Sequence, residues 1–347
     1  MLNLNDLDEI RKLDPKNVYD STLELADQCE QIWNDKESLN LPAGYKNVSN
    51  IIVCAMGGSG LGGHVVASLF KDTLKIPMEV VNGYNLPSYA NEKSLVIVIS
   101  YSGSTEETIS CLNDAVSRKA KTVGLTTGGK LADILKENNL PFLIMNPKHN
   151  KCGVPRVATG YMVFGTMAVL AKTNLLDVND ESVSGAISLL RQNRESIQKE
   201  AQEIAKDLYD TCPVIFSSQV FEGNAHIIRN QFNETAKTFS SYFPIPELNH
   251  HLMEGLAYPK NKKLSVLFLT SSLDSDNVKK RINLTKAVVV KNEIKEITYA
   301  AHGEDRIAQM LDFLAFGGFV TLYLGLLYGI DPSVNPWVDY FKEQLAK

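Results

Sequence analysis

The sequence predicts an α/β protein made of two similar domains, each a doubly wound parallel sheet in an αβα sandwich. Three observations support this prediction. The chain has 347 residues, and domains of about 100–200 residues make two domains the expected number. Short apolar segments typical of buried strands alternate with segments of helical periodicity. In both halves, a strand ends in a turn containing serine or glycine, and a helix follows.

The first domain is expected over residues 1–175. Residues 1–40 have helical, amphipathic periodicity, and the alternation of strand and helix begins after them. We predict the glycine-rich GGSGLGG (57–63) to be a turn, with a helix from HVVASLF onward. The predicted strands are IIVCAM (51–56), MEVVNGY (78–84), SLVIVIS (94–100), KTVGLT (121–126) and PFLIMN (141–146).

The second domain is expected over residues 176–347. A polar helix over 184–209 joins the two halves. CPVIFSS (212–218) and KLSVLFLTSS (263–272) repeat the pattern of a strand followed by a helix, and AVVVKNEIKEITYA (287–300) predicts one or two further strands.

Composition narrows the classes of function. Hydrophobic residues make up 44% of the chain and charged residues 22%, as in ordinary globular domains. A net charge of −5 provides no positive field for nucleic acid or an anionic membrane surface. The apolar segment 313–330 is interrupted by glycines and flanked by Asp312 and Asp331, so we expect a buried helix there. We therefore expect neither a nucleic-acid partner nor membrane association.

The 5 cysteines are scattered and form no CxxC pair, so neither a disulfide scaffold nor a zinc site is predicted. The first fourteen residues have mixed charge and lack the apolar core of a signal peptide. We expect a reduced, cytoplasmic protein.

Hydroxyl side chains cluster where two predicted strands end. Parallel sheets bind ligands beyond the carboxyl ends of their strands, where the next helix presents free N–H groups that stabilise an anion. Gly58 and Ser59 in GGSG, with Ser100, Ser102 and Thr105 in SYSGST, are therefore predicted to surround a phosphate group. The alternative is that these residues only cap helices. The P-loop pattern is absent, and MEVVNGYNLP lacks the acidic residue of a dinucleotide site.

AMGGSGLGG (55–63) and VISYSGSTEET (98–108) resemble the two signature segments of the sugar isomerase (SIS) domain, a phosphosugar-binding α/β fold. VPRVATGY (154–161) and NETAK…PIPELNHHLMEG (233–255) narrow the resemblance to the bifunctional phosphoglucose/phosphomannose isomerases, which are chains of two SIS domains. The resemblance extends from about residue 45 to the end of the chain.

The resemblance implies roles for four further residues. It makes Glu234 the catalytic base, and a carboxylate with an ordinary pKa near 4.3 is a competent base at neutral pH. It assigns ring opening to His250, with His251 beside it, and we expect Glu247 and Asn249 to orient the imidazole. Arg156 would stabilise the enediolate, and Lys342 would lie near the sugar ring oxygen. Most lysines on a terminal helix are simply solvated, which is the alternative for Lys342.

Two segments depart from the pattern of the resembling family. His64 stands where many relatives carry an aspartate, which we expect to affect the start of the helix. The C-terminal DPSVNPW (331–337) differs from the usual DPTPV-like spacing. This leaves open which C-terminal residues contact the C2 and C3 hydroxyls.

We therefore expect an aldose–ketose isomerase that acts without metal or cofactor on glucose 6-phosphate and fructose 6-phosphate, with mannose 6-phosphate as a second substrate. Two alternatives remain from the sequence. One is a non-catalytic phosphosugar sensor, and the other is an amidotransferring SIS enzyme, which would need a glutaminase partner. We also expect a homodimer in which His250 reaches the Glu234 of the partner chain, because the proline-containing segment 243–255 can project and 313–330 is very apolar.

Overall fold

The computed structural model of the chain describes residues 2–345 and 347 and contains two sheets whose strands all pair in parallel. The first sheet has the order β2-β1-β3-β4-β5 and the second has the order β7-β6-β8-β9. The strands are β1 (Asn50–Ala55), β2 (Met78–Val81), β3 (Ser94–Ser100), β4 (Lys121–Thr126), β5 (Phe142–Ile144), β6 (Cys212–Ser218), β7 (Ser241–Ile245), β8 (Leu264–Thr270) and β9 (Lys295–Ala300).

Helices connect and cover these strands. They are α1 (Leu7–Leu13), α2 (Val18–Leu23), α3 (Leu25–Asp35), α4 (Gly57–Leu69), α5 (Glu106–Ser117), α6 (Gly129–Glu137), α7 (Thr159–Lys172), α8 (Asp180–Leu208), α9 (Glu222–Glu234), α10 (Leu252–Gly255), α11 (Asp276–Lys291), α12 (Arg306–Leu327) and α13 (Pro336–Leu345). Short 3-10 turns occupy Pro155–Val157 and Glu247–His250. The predicted class, two α/β domains with parallel sheets, is confirmed.

Both faces of each sheet are covered by helices. Alternate side chains of β1 and β3, such as Ile52 and Val96, pack outward against α5 and α6. The opposite face packs on α4 and α7, which share one continuous apolar core with α9 and α12 of the second half. The outer face of the second sheet packs on α11 and on the segment that contains Leu248. The two halves are therefore joined by helices that lie between the sheets.

Helix α12 accounts for the most apolar segment of the chain. It is long and apolar enough to cross a membrane, but 94% of its most apolar window is buried inside the fold. The expectation of a buried helix is confirmed. Because packing within one chain already covers these side chains, their apolar character does not argue for a subunit contact.

Two local predictions are wrong. GGSGLGG is not a turn, since α4 begins at Gly57. Its glycines allow close approach, and a Cβ on Gly62 would overlap the carbonyl oxygen of Met162 in α7. Residues 287–291 are the end of α11 and not a strand, because their apolar side chains continue a helical stripe that includes Ile282 and Val289.

Candidate active site

The predicted phosphate pocket lies where β1 and β3 end. These strands are adjacent in the first sheet, so the start of α4 after Ala55 and the turn after Ser100 lie side by side. The backbone amide of Tyr101 donates a hydrogen bond of 2.9 Å to Ser59 Oγ, which joins the start of α4 to the segment after β3. The structure thus brings the two serine-containing segments together at one edge of the sheet.

The hydroxyls differ in exposure. Ser59 and Ser100 are buried. Ser100 Oγ accepts from the Gly103 amide at 3.1 Å and lies 2.8 Å from Thr105 Oγ1. Ser102, by contrast, is exposed. The buried hydroxyls shape the turn, and the exposed one faces the solvent from which a ligand would arrive.

Helix capping does not account for these residues. Met56 precedes α4 and Thr105 precedes α5, and within the described residues neither side chain makes a cap hydrogen bond. The Ser59 amide donates to the Met56 carbonyl at 3.1 Å, whereas the first two amides of each helix, those of Gly57 and Gly58 in α4 and of Glu106 and Glu107 in α5, make no hydrogen bond within the described residues. These amides are available to an anion, whose charge the helix dipoles also favour. This observation favours the phosphate pocket over the capping alternative.

Arg156 connects this pocket to the second half of the chain. A Cβ added to Gly58 would lie 3.0 Å from the Arg156 backbone nitrogen, so Gly58 and Arg156 are in close contact. The guanidinium is buried and donates to Thr235 Oγ1 at 3.0 Å and to the Pro332 carbonyl at 2.5 Å. Burial lowers the pKa of Arg156 from its ordinary value, but an arginine at neutral pH stays charged.

Glu234 is the last residue of α9, and it lies beside Arg156. Its Oε2 accepts from Asn335 Nδ2 at 3.1 Å and lies 3.5 Å from Arg156 Nη1. The Glu234 side chain is 31% exposed and that of Arg156 is 3% exposed. A partly open carboxylate next to a buried, fixed cation can remove a proton from a ligand while the cation stabilises the negative charge that forms.

A second cation, Lys237, lies at the same place. Its Nζ donates to the Glu234 carbonyl at 2.9 Å, the Asp331 carbonyl at 3.2 Å and the Thr235 carbonyl at 3.4 Å. Burial, reinforced by the charge of Arg156, lowers the pKa of Lys237 to about 8.

His250 lies away from this cluster. It ends the 3-10 turn Glu247–His250, is exposed, and belongs to the segment that packs through Leu248 on the outer face of the second sheet. Glu234 belongs to α9, which packs on the opposite face. The structure therefore does not bring His250 and Glu234 of one chain together.

The predicted partners of the His250 imidazole are wrong. Glu247 Oε2 lies 2.8 Å from His251 Nε2, and Asn249 Nδ2 donates to Thr285 Oγ1 at 2.7 Å. Their spacing along a short turn directs them to other neighbours. His64 is likewise not at a helix start: it lies inside α4, 3.0 Å from Asn82 Oδ1.

Lys342 lies on α13, an amphipathic helix in which none of the described residues is buried. Trp337 is 82% exposed and Phe341 is 60% exposed. Lys342 itself is exposed and stays a predicted site residue without a contact to Glu234 or Arg156.

Sequence reasoning did not single out Lys237, Asn335 or Thr235. Lys237 and Thr235 lie within the NETAK segment, and a lysine three residues after the base was an available signal. Asn335 lies in DPSVNPW, the segment whose spacing departs from the resembling family. In this segment, the side-chain amide of Asn335 donates a hydrogen bond to the Glu234 carboxylate.

Comparison with known proteins identifies the two halves. The model of the SIS domain matches residues 45–168, and the model of the bacterial phospho-glucose isomerase C-terminal SIS domain matches residues 197–345. A solved structure of a hypothetical protein from Thermus thermophilus has a TM-score of 0.75 and 14% identity, covering 98% of this chain and 93% of that one. The chain is thus a protein of two SIS domains.

Curated relatives cover almost the whole chain. The bifunctional phosphoglucose/phosphomannose isomerase of Caldicellulosiruptor bescii is 28% identical over 95% of this chain and 99% of its own length. The enzyme of the same name from Aquifex aeolicus is 29% identical over 92% of this chain and 97% of its own. Over nearly its whole length the chain is therefore similar to the bifunctional phosphoglucose/phosphomannose isomerases, and its two halves match models of SIS domains.

Proposed function

We propose that the protein interconverts glucose 6-phosphate and fructose 6-phosphate, and mannose 6-phosphate and fructose 6-phosphate, by proton transfer through an enediolate. The observation that carries this proposal is the continuous contact from Gly58 through Arg156 to Glu234. This contact places the predicted phosphate pocket next to a buried cation and a carboxylate.

The chemistry follows from these positions. The N-termini of α4 and α5, with Ser102 at the turn, would hold the phosphate, so the sugar extends toward Glu234. Glu234 takes the proton from C2 of the open aldose and returns it to C1. Arg156 stabilises the charge on the enediolate oxygens, as fixed cations do for developing negative charge. The mechanism uses side chains alone, with no metal or cofactor.

The site as described lacks a group that opens the sugar ring, and we propose that His250 of a second copy supplies it. Two observations support a homodimer with shared sites. His250 and Glu234 lie on opposite faces of the second sheet. In addition, α13 follows directly after Asn335 and presents an exposed apolar face with Trp337 and Phe341, which is typical of a surface that contacts another protein. Twofold symmetry would give two equivalent sites.

The activity is tested directly in coupled assays with glucose 6-phosphate and with mannose 6-phosphate, each with EDTA and without added metal. We expect both reactions to proceed in EDTA. Activity lost in EDTA and restored by zinc would contradict the mechanism. Binding of the sugar phosphates without turnover would instead identify a phosphosugar sensor.

The roles of Glu234 and His250 are tested together. Glu234→Gln keeps the hydrogen-bonding shape but removes the base, and we expect turnover to fall by about 10²–10⁴-fold while phosphosugar binding survives. Near-normal turnover would rule out Glu234 as the base.

Glu234→Gln and His250→Ala are then co-expressed and the mixed dimer is isolated with two affinity tags. If sites are shared, one of its two sites contains both substitutions and the other contains neither, so about half of the wild-type activity should return. If each chain carries its own site, every site keeps one substitution and the mixed dimer stays inactive.

A further inference from the structure

Three contacts hold residues 331–335, here called the site loop, against the candidate active site. The Asp331 carbonyl accepts from Lys237 Nζ at 3.2 Å, and the Pro332 carbonyl accepts from Arg156 Nη2 at 2.5 Å. Asn335 Nδ2 donates to Glu234 Oε2 at 3.1 Å. The position of the Glu234 carboxylate therefore depends on where the site loop lies.

Lys237 joins this loop to the end of α9 through backbone carbonyls, in addition to the side-chain contact between Asn335 and Glu234. Its three N–H donors meet three carbonyl oxygens, those of Glu234, Thr235 and Asp331. The first two belong to the C-terminal end of α9, where a helix leaves carbonyls without partners and a cation is favourable. The backbone of Lys237 has φ 51°, a left-handed conformation usually occupied by glycine or asparagine. This conformation belongs to the end of α9, where the Thr238 amide donates to the Phe232 carbonyl at 2.9 Å as in a Schellman motif, and it is the side-chain contacts that distinguish Lys237.

We infer that Lys237 is a positioning residue for proton transfer: its ammonium group clamps the end of α9 to the site loop and so fixes the Glu234 carboxylate between Arg156 and Asn335. This inference rests on the proposed isomerase function. Because its three donors are all used within the protein, Lys237 acts through Glu234 and the loop and does not itself bind the substrate.

The clamp is sensitive to protonation. The charged groups that face the ammonium are Arg156, which opposes its charge, and Asp331 and Glu234, which favour it. With its pKa lowered to about 8 by burial, Lys237 loses its charge just above neutral pH. The neutral amine has two N–H donors for three carbonyls, so one contact is lost. We expect kcat to fall as pH rises through about 8.

The kinetic test compares Lys237→Met, Lys237→Arg and the control Lys280→Met, which removes an exposed lysine of α11. Lys237→Met should lower kcat about 10–100-fold, since small displacements of a base have effects of this size, while KM changes less than about threefold because the phosphate pocket is intact. Lys237→Arg keeps the cation and should move the alkaline limb of kcat upward by at least about one pH unit, because a guanidinium stays charged. Lys280→Met should behave as wild type. A wild-type kcat in Lys237→Met, together with an unmoved alkaline limb of the kcat–pH profile in Lys237→Arg, would overturn the inference.

A measurement that needs no activity separates this inference from the proposed function. Hydrogen–deuterium exchange of a peptide that contains 331–335 should be about tenfold faster in Lys237→Met than in Lys280→Met at pH 7. If wild type is inactive as an isomerase, the proposed function fails but this measurement still tests the clamp. Should Lys237→Met not fold, wild type is compared with Lys237→Arg over a range of pH. After correction for the intrinsic pH dependence of amide exchange, exchange of the site loop should become faster above about pH 8 in wild type but not in Lys237→Arg. Equal loop protection throughout would overturn the inference, whatever the kinetics.

Discussion

Replacement of Arg156 by lysine is the most direct test of how the site stabilises the enediolate. The substitution keeps a positive charge but replaces a planar fork of five donors by one ammonium group. In the structure, the fork spans Thr235 Oγ1 and the Pro332 carbonyl, at 3.0 and 2.5 Å. A single Nζ can reach one of these acceptors but not both.

The magnitude follows from these contacts. Hydrogen bonds to charged groups contribute about 1.5–3 kcal/mol each. Because Arg156 is buried, an acceptor that loses its partner is not compensated by bulk water. Loss of one bond should therefore lower the free energy of unfolding by about 2–3 kcal/mol. Removal of one fixed donor to a developing oxyanion typically lowers turnover by about 10²–10³-fold.

The assay measures kcat and KM for glucose 6-phosphate together with urea unfolding of the same preparations. Arg191→Lys is the matched control, because Arg191 forms partly exposed ion pairs with Asp27 and Glu30, and such pairs contribute at most about 1 kcal/mol. We expect Arg156→Lys to lose turnover while it remains folded, and Arg191→Lys to retain turnover. A folded Arg156→Lys enzyme with kcat within about threefold of wild type would refute the role of the guanidinium.

Two further predictions concern the phosphate pocket and the contact between the domains. Ser102→Ala removes an exposed hydroxyl of the predicted phosphate pocket. Because one hydrogen bond contributes about 1 kcal/mol, the substitution should raise both the KM for glucose 6-phosphate and the Ki for inorganic phosphate by about 3–10-fold. Unchanged inhibition by phosphate would contradict the pocket. His226 packs between His64 of α4 and Tyr242 of β7, and burial lowers its pKa to about 3. A histidine whose pKa is lower in the folded than in the unfolded state contributes stability that is present above its unfolded pKa of about 6.5 and is lost as pH falls. For His226 this corresponds to a loss of about 2 kcal/mol in the free energy of unfolding between about pH 7 and pH 5. Between about pH 7 and pH 5, the free energy of unfolding measured in urea should therefore fall by about 2 kcal/mol less in His226→Phe than in wild type. The exposed control His251→Gln should follow wild type.

The sequence by itself determined the parallel α/β class, the two-domain organisation and the strand ends that carry the hydroxyls. These features are local, because a buried strand and the turn after it show in the apolar pattern and in the serines and glycines that follow. The resemblance of NETAK and VPRVATGY also pointed to Glu234 and Arg156. The predicted domain boundary at residue 175 and the individual site roles stay predictions.

The start of α4 shows the limit of local patterns. Glycine propensity predicts a turn over 57–63. The structure instead has a helix there, and its close packing on α7 requires glycine on the contacting face. Packing against a distant segment overrides propensity, and the sequence does not show which segments will meet.

The tertiary structure alone decided how the site is assembled. Arg156, Glu234 and Asn335 are far apart in sequence, and only the packing of helices between the two sheets brings them within hydrogen-bond distance. The structure also separated His250 from the Glu234 of its own chain, although sixteen positions divide them in sequence, because β7 carries the chain from one face of the second sheet to the other. Side-chain contacts of this kind depend on the mutual placement of whole elements, which the pattern of any one segment does not encode.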